Sequence, residues 1–178
     1  MDRIALRSAT LPGGGKKDIL IEGGRFACIA DGLSPQEMEN GEVVDCSSFA
    51  VLPAFYNGHT HAAMTLLRGY ADDMELNRWL TQYIWPFEAR LTADDIEIGS
   101  RLAVLEMIKS GTVFFADMYW QRERTIKVVE EMGVRAAIGV TIANALLSEE
   151  KLEECFAFLS AHTGESDRVK LVVMPHAV

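Results

Sequence analysis

Two histidines stand at positions i and i+2 in the segment NGHTH, at His59 and His61. A nearly continuous apolar run precedes them, as is typical of a strand covered on both faces. Side chains two positions apart on a strand point to the same side, so both imidazoles can reach one point. Neutral imidazole binds divalent metals, and two such ligands make half of a metal site. The spacing is equally consistent with a chance pair on a loop that hydrogen bonds to backbone or solvent.

Three other side chains are candidates for the same site. His176 follows the last apolar run, and it could be a third metal ligand, a substrate contact or a loop histidine. Glu88 lies among apolar residues, where a carboxylate needs a partner, and Arg90 is close enough in sequence to pair with it. Asp117 follows another apolar run and either binds a ligand or caps a turn.

The sequence also contains an aromatic segment, and it lacks the common nucleotide-binding and nucleophile motifs. We interpret the aromatic segment as core, with the wall of a pocket as the alternative; it contains Trp79, Tyr83, Trp85 and Phe87. The sequence contains no phosphate-binding loop of the Walker type, no nucleophile elbow and no dinucleotide-binding fingerprint. The histidine pair therefore remains the strongest chemical signal.

Strands and helices alternate from Ala50 onward, which predicts a parallel sheet with right-handed crossovers. The predicted strands cover residues 50–56, 112–116, 134–142 and 169–174. Thr92 is a suitable cap for a helix that ends at Gly111, and Gly133 ends the next helix. The first of these helices carries an apolar stripe formed by Ile98, Leu102, Leu105 and Ile108.

The first 50 residues predict a small β region. Gly23-Gly24 separates two strand-like runs, and such a dipeptide indicates a hairpin. Residues 1–50 are too few to close a sandwich alone. Residues 51–178 supply four strands, whereas a closed (β/α)₈ barrel needs about 250 residues. The chain is therefore an open four-stranded α/β domain or the front half of a barrel, and its end directly after a strand favours the front half.

Composition excludes several classes of protein. Hydrophobic residues make up 49% of the 178-residue chain, enough to bury a core and to exclude a disordered chain. The net charge of -9 opposes binding to nucleic acid or to anionic membranes. No apolar run is long enough to span a membrane, and three widely spaced cysteines do not form a disulfide framework. We therefore expect a cytoplasmic protein.

The stretch VLPAFYNGHTH at residues 51–61 resembles the first-strand signature of the amidohydrolase superfamily. The next run, AAMTLLRGYADD, is similar to the branch of S-adenosylhomocysteine and methylthioadenosine deaminases, guanine deaminase and triazine chlorohydrolases. Trp79-Leu80, Pro86-Phe87-Glu88 and Met174-Pro175-His176-Ala177 extend the resemblance over essentially the whole chain. It implies an α/β fold: about four βα units of a metal-dependent hydrolase (β/α)₈ barrel at 51–178, preceded by β-sandwich strands at 1–50.

The resemblance also implies roles for the candidate residues. His59 and His61 match two ligands of one divalent metal, with zinc expected first and iron as the alternative. Glu88 matches a glutamate that contacts the sugar of a nucleoside, and His176 matches a substrate-contacting histidine. The implied reaction is hydrolysis of a C–N bond other than a peptide bond. It would be the deamination of a purine, nucleoside or other N-heteroaromatic small molecule by metal-activated water. The alternative is the dechlorination of such a ring, in which the water displaces chloride from a C–Cl bond instead.

This chain departs from the family pattern in three ways. The acid–base residues and the remaining metal ligands are expected beyond Val178, because the family draws them from the fifth, sixth and eighth strands. Val140 stands where adenosine-type deaminases have an arginine in the third strand. Ala54 and Ala63 replace the usual glycine and proline. The resemblance therefore implies the hydrolase class and leaves the substrate open.

Three hypotheses follow. The first is an incomplete catalytic domain, inactive as 178 residues alone. The alternative is a non-catalytic truncated homologue that pairs with a partner chain or only binds a ligand. The third is a self-contained four-stranded binding domain. Apolar strands at 51–55 and 169–174 would expose unpaired edges, which predicts a homo-oligomer or association with the missing half of the barrel.

Overall fold

The computed structural model describes residues 3–143, 148–162, 164 and 166–177. The chain divides into two compact units, Met1–Pro53 and Ala54–Val178. The boundary lies three residues after the predicted one at 50/51. Among the described residues, no helix is both long and apolar enough to cross a membrane.

The first unit is built on one four-stranded sheet in the order β3-β2-β1-β4. Its elements are β1 (Arg3–Thr10), β2 (Lys16–Glu22), β3 (Arg25–Ala30), a short helix α1 (Pro35–Met38) and β4 (Glu42–Asp45). Gly23 and Gly24 join β2 to β3 with φ of 55° and 74°, so the predicted hairpin is confirmed. These left-handed angles strain residues that carry a Cβ, which explains the glycine pair. The assignment of this unit to a β-sandwich stays a prediction.

The second unit is built on a parallel sheet in the order β5-β6-β7-β8. Its strands are β5 (Phe55–Thr60), β6 (Thr112–Asp117), β7 (Arg135–Ala143) and β8 (Val169–Ala177). Two short helices, α2 (Leu76–Trp79) and α3 (Trp85–Glu88), follow β5, and three longer helices are α4 (Ala93–Ser110), α5 (Arg122–Met132) and α6 (Glu149–His162). The predicted alternation of strands and helices is confirmed.

The first strand of this sheet begins later than predicted. Residues 50–56 were expected to form one buried strand, but β5 starts at Phe55 and most of it is exposed. Pro53 divides the run, because proline has no N–H to donate to a central strand. On its amino side, Val51 donates its N–H to the Thr10 carbonyl in the first unit at 2.9 Å. On its carboxyl side, Phe55 pairs with Thr112 of β6.

Helix α4 begins and ends as predicted but turns a different face to the core. Thr92 and Asp95 form a reciprocal capping box, and Gly111 ends the helix in a left-handed conformation. The predicted apolar stripe is between 38% and 59% exposed; it comprises Ile98, Leu102, Leu105 and Ile108. Small residues on the opposite face allow a closer approach, since a Cβ at Gly99 would lie 2.6 Å from the Ala63 carbonyl oxygen.

The largest core cluster of the second unit lies between the sheet and the helices α4 and α5. Its buried members are Ala62, Ala103, Val104, Phe115, Val128, Val129, Val134, Ala136, Ile138 and Val169. A 3₁₀ helix (Ala62–Leu67) directly after β5 contributes Ala62 to this cluster. The core therefore fixes the segment that follows the histidine pair.

Candidate metal and substrate site

The structure brings the two predicted histidines together at the carboxyl end of β5. His59 lies within the strand and is exposed, and His61 is half-buried at the start of the 3₁₀ helix. Their ring centroids are 4.9 Å apart, with the planes nearly perpendicular at 81°. Two imidazoles at this separation can direct a nitrogen toward a shared point, as the spacing predicted.

The hydrogen bonding of His61 fixes which ring nitrogen is free. Its Nδ1 lies 2.6 Å from the backbone carbonyl oxygen of Met118. Because a carbonyl oxygen can only accept, Nδ1 must carry the proton. The Nε2 atom of the neutral ring then presents its lone pair, which is the arrangement usual for a metal-binding histidine.

Asp117 holds the segment around His61 in place rather than facing a ligand. Its carboxylate is 1% exposed and accepts a hydrogen bond from the Ala62 N–H at 2.6 Å. The Thr60 hydroxyl lies 2.9 Å from the same Oδ1 atom. Burial raises the pKa of Asp117, and the hydrogen bonds from Ala62 and Thr60 act in the opposite direction. Of the two roles that the sequence left open, the structure supports the turn cap.

A cavity of about 410 Å³ opens beside His61. Most of its lining is apolar or aromatic: Met64, Leu76, Trp79, Leu80, Ile84, Trp85, Met118, Tyr119 and Trp120. Its polar lining comes from His61, Glu88, Thr141 and His176. A mainly apolar cavity with a few convergent polar groups is typical of a small-molecule site.

Glu88 lies in this cavity with a partner that the sequence did not predict. The hydroxyl of Tyr119 donates a hydrogen bond to Glu88 Oε1 at 2.7 Å. Within the described residues Glu88 forms no ion pair with Arg90, so the pairing left open by the sequence is not observed. Burial, followed by the contact with Glu88, raises the pKa of Tyr119, so its hydroxyl remains a donor. Tyr119 lies two residues after Asp117, at the end of the same strand, and this position was the signal in the sequence that it could belong to the site.

His176 lies within β8 rather than after it, and it faces the same cavity. Its ring centroid is 6.0 Å from that of His61.

The interpretation of the aromatic segment as core is wrong for Trp79 and Trp85, which line the cavity. The helices α2 and α3 are joined by a π-helical turn (Leu80–Ile84), and one face of this segment lines the cavity through Leu76, Trp79, Leu80, Ile84, Trp85 and Glu88.

The donor set is suitable for a divalent metal but supplies only part of its coordination. Across the described ranges of the chain, no three His, Cys, Asp or Glu side chains are grouped as metal ligands. The imidazoles of His59 and His61 are two nitrogen donors of the type that divalent metals bind, and His61 has the tautomer that such binding requires. A complete site needs further donors.

Comparison with curated proteins finds similar chains among nucleoside deaminases. The chain is 44% identical over 164 residues to 5'-deoxyadenosine deaminase of Methanococcoides burtonii, covering 89% of this chain and 37% of that protein. It is 40% identical over 165 residues to 5-methylthioadenosine/S-adenosylhomocysteine deaminase of Carboxydothermus hydrogenoformans, covering 91% and 38%. The chain thus spans less than two fifths of the length of these relatives.

Solved structures show the same fold. An adenosine deaminase from Xanthomonas campestris with bound zinc matches with a TM-score of 0.83 and 24% identity, over 98% of this chain and 43% of that one. A triazine hydrolase from Arthobacter aurescens matches with a TM-score of 0.81 and 17% identity, over 100% and 47%. The model of the amidohydrolase family matches residues 50–178. This match covers well over half of the sequence, and the chain therefore belongs to the amidohydrolase family.

Proposed function

We propose that the gene product containing this chain is a metal-dependent deaminase of purine nucleosides, with 5'-deoxyadenosine and related nucleosides as substrates. One observation carries the proposal: His61, whose Nδ1 is bound to the Met118 carbonyl, lines a cavity that also contains Glu88 and His176. The identity of 40–44% to nucleoside deaminases supports the same reaction.

His59 and His61 would hold the metal, which we propose to be zinc, as in the structurally similar adenosine deaminase. When bound, such a metal supplies Lewis-acid activation of water for attack on a ring carbon. The Met118 carbonyl would keep His61 in the metal-binding tautomer. The further ligands and the acid–base group would come from residues other than those described.

Glu88 and His176 would orient the nucleoside. A carboxylate accepts hydrogen bonds, so Glu88 suits the hydroxyl donors of a ribose. His176 lies on the His61 side of the cavity and would contact the base. The indole rings of Trp79, Trp85 and Trp120 give the cavity aromatic walls on which a planar base can pack.

The cavity favours a nucleoside whose 5' substituent carries no carboxylate. Its described lining contains no lysine or arginine, and Glu88 supplies a carboxylate. Val140, at the position where adenosine-type deaminases have an arginine, is fully buried in the core and does not line the cavity. S-adenosylhomocysteine carries a carboxylate and an ammonium group on its 5' substituent, and burying both in this apolar lining is costly because no described lysine or arginine pairs with the carboxylate. We therefore expect 5'-deoxyadenosine to be preferred over S-adenosylhomocysteine.

We also propose that the rest of the barrel pairs with the two outer strands of the second sheet. In the described chain β5 and β8 are its edges, and both expose apolar side chains. The exposed fractions are 60% for Phe55, 73% for Tyr56 and 45% for Val173. Exposed apolar edges promote association. Residues 1–178 expressed alone should self-associate in size-exclusion chromatography with light scattering, and a stable monomer near 19.7 kDa would contradict this.

The deaminase proposal is tested on the complete gene product. Ammonia release should be observed with 5'-deoxyadenosine, should be slower with S-adenosylhomocysteine, and should be lost after removal of metal by a chelator. His162→Ala is the matched control, because His162 is exposed on α6, its Nδ1 contacts the Phe158 carbonyl, and it does not line the cavity. Nucleoside binding without ammonia release would instead support the non-catalytic alternative.

A further inference from the structure

Two adjacent residues after β6 contact both sides of the candidate site. The carbonyl of Met118 binds His61 Nδ1 at 2.6 Å, and the hydroxyl of Tyr119 binds Glu88 Oε1 at 2.7 Å. We infer that Tyr119 is a positioning residue that orients the Glu88 carboxylate toward the hydroxyl groups of the substrate. This inference rests on the proposed function, because it assigns Tyr119 a role in nucleoside binding.

Glu88 needs an external constraint because little else in the described chain fixes its carboxylate. It is the last residue of α3, a helix of four residues, and it is only half-buried. A glutamate side chain has three rotatable bonds, and ordering it costs conformational entropy. Arg90 is two residues away in sequence and would draw the carboxylate out of the cavity if it paired with it.

Tyr119 can supply this constraint because it is itself held firmly. It is 7% exposed and belongs to a small core cluster with Ala63 and Ile96. Its backbone follows Met118, whose N–H donates to the Thr60 carbonyl at 3.1 Å. The phenol therefore stands on the same rigid connection between β5 and β6 that orients His61.

The geometry leaves one oxygen of Glu88 for the ligand. Tyr119 occupies one acceptor position on Oε1, and Oε2 has no partner among the described residues. A ribose has two neighbouring hydroxyls, and each can donate to a carboxylate oxygen. Tyr119 would thus favour a substrate with these hydroxyls, while a nucleoside without them would gain nothing from the hydrogen bond.

The test compares wild type and Tyr119→Phe in the complete gene product. Two substrates are used, 5'-deoxyadenosine and 2',3',5'-trideoxyadenosine, which lacks the ribose hydroxyls. Deamination kinetics give KM and kcat. Quenching of the tryptophans that line the cavity, measured in the chelator-treated protein, gives Kd independently of turnover. Tyr83→Phe is the matched control, because Tyr83 lies in the preceding π-helical turn and packs against Tyr70 without lining the cavity.

For 5'-deoxyadenosine, Tyr119→Phe should raise KM and Kd on the order of tenfold, with a much smaller change in kcat. The difference from wild type should shrink to within about twofold for the trideoxy substrate, which loses the hydroxyl contacts. In the double variant with Glu88→Gln, the two effects should be less than additive, because the residues act through one contact.

The outcomes separate the inference from the proposed function. Equal losses on both substrates, or no loss with an active wild type, would overturn the positioning role and leave the deaminase proposal intact. A wild-type protein that neither binds nor deaminates purine nucleosides would overturn the proposed function itself. Thermal unfolding of Tyr119→Phe and of the wild type establishes that both proteins are folded at the assay temperature, so that equal losses on both substrates are not caused by unfolding.

Discussion

The proposed metal side of the cavity, around His61, and the proposed substrate side, around Glu88, are held in place in different ways. On the metal side, the segment around His61 is tied to the end of β6 by contacts that involve backbone groups of Thr60, Ala62 and Met118. On the substrate side, Glu88 ends a short helical segment and is oriented by one side-chain hydrogen bond from Tyr119. The position of His61 thus depends on backbone contacts at the end of the sheet, whereas the position of the Glu88 carboxylate depends on the side chain of one residue, Tyr119.

The largest expected effect is on the metal side. His61→Ala, or His59→Ala, should remove bound metal and nearly all turnover, since each variant deletes one of the two described donors. Metal content by mass spectrometry and ammonia release measure the two losses. The His162→Ala control should retain both the bound metal and the turnover. Full activity with stoichiometric metal in either site variant would exclude the proposed metal ligands.

A smaller loss is expected when the support of His61 is removed and the ligand itself is kept. Asp117→Ala leaves the buried N–H of Ala62 without its acceptor, so the turn after His61 should loosen. We expect metal affinity to fall by about 10- to 100-fold, the usual range for a residue that orients a ligand. Competition with a chelator measures the affinity. Unchanged affinity would show that the backbone contacts of Met118 are sufficient.

On the substrate side, Glu88→Gln should change binding more than chemistry. The neutral amide accepts hydroxyl hydrogen bonds more weakly than a carboxylate, so KM for 5'-deoxyadenosine should rise on the order of tenfold. Turnover at saturation should fall much less, and the metal content should stay at the wild-type level. Steady-state kinetics and metal analysis are the measurements. Identical kinetics on every nucleoside tested would leave Glu88 with a structural role only.

The features that the sequence predicted well depend on local signals. The spacing of two predicted that the side chains of His59 and His61 lie together, and their rings are adjacent in the structure although His61 lies one residue beyond β5. Thr92 and Gly111 mark the ends of α4 through capping groups that lie within a few residues of each other. The parallel order of the sheet follows from the alternation of strands and helices, which the sequence also displays.

The features that were missed depend on contacts between distant residues. Apolar character on α4 is present on two faces, and the close approach of Gly99 to Ala63 decides which face packs inward. Tyr119 and Glu88 are 31 positions apart, and no periodic pattern connects them. Trp79 and Trp85 lie in an aromatic segment whose composition is typical of a core, and only the tertiary structure shows that they line a cavity. A single sequence contains no direct measure of such pairings.

The helices behind the metal side are joined by a cluster of charges on the protein surface. Glu97 on α4 accepts hydrogen bonds from Lys127 at 2.8 Å and from Arg124 at 3.1 Å, both on α5. It also accepts one from Arg101, one turn further along α4, at 2.8 Å. Contacts with Lys127 and Arg101 lower the pKa of Glu97 from 4.5 to about 2.

The smallest predicted effect tests whether this surface cluster matters to the metal side. A carboxylate whose pKa is lower in the folded state stabilises the fold above its unfolded pKa, so the contribution of Glu97 is present above pH 4.5 and is lost as the pH falls toward about 2. Glu97→Gln should therefore lower Tm slightly at pH 7, because its cationic partners are between 37% and 48% exposed and ion pairs at the protein surface contribute little. The difference from wild type should disappear near pH 2 in thermal scans, while metal affinity at pH 7 stays unchanged. A Tm difference that persists down to pH 2 would show that Glu97 stabilises the fold through packing rather than through its charge. A loss of metal affinity would show that the position of the metal ligands depends on helices α4 and α5 as well as on the sheet.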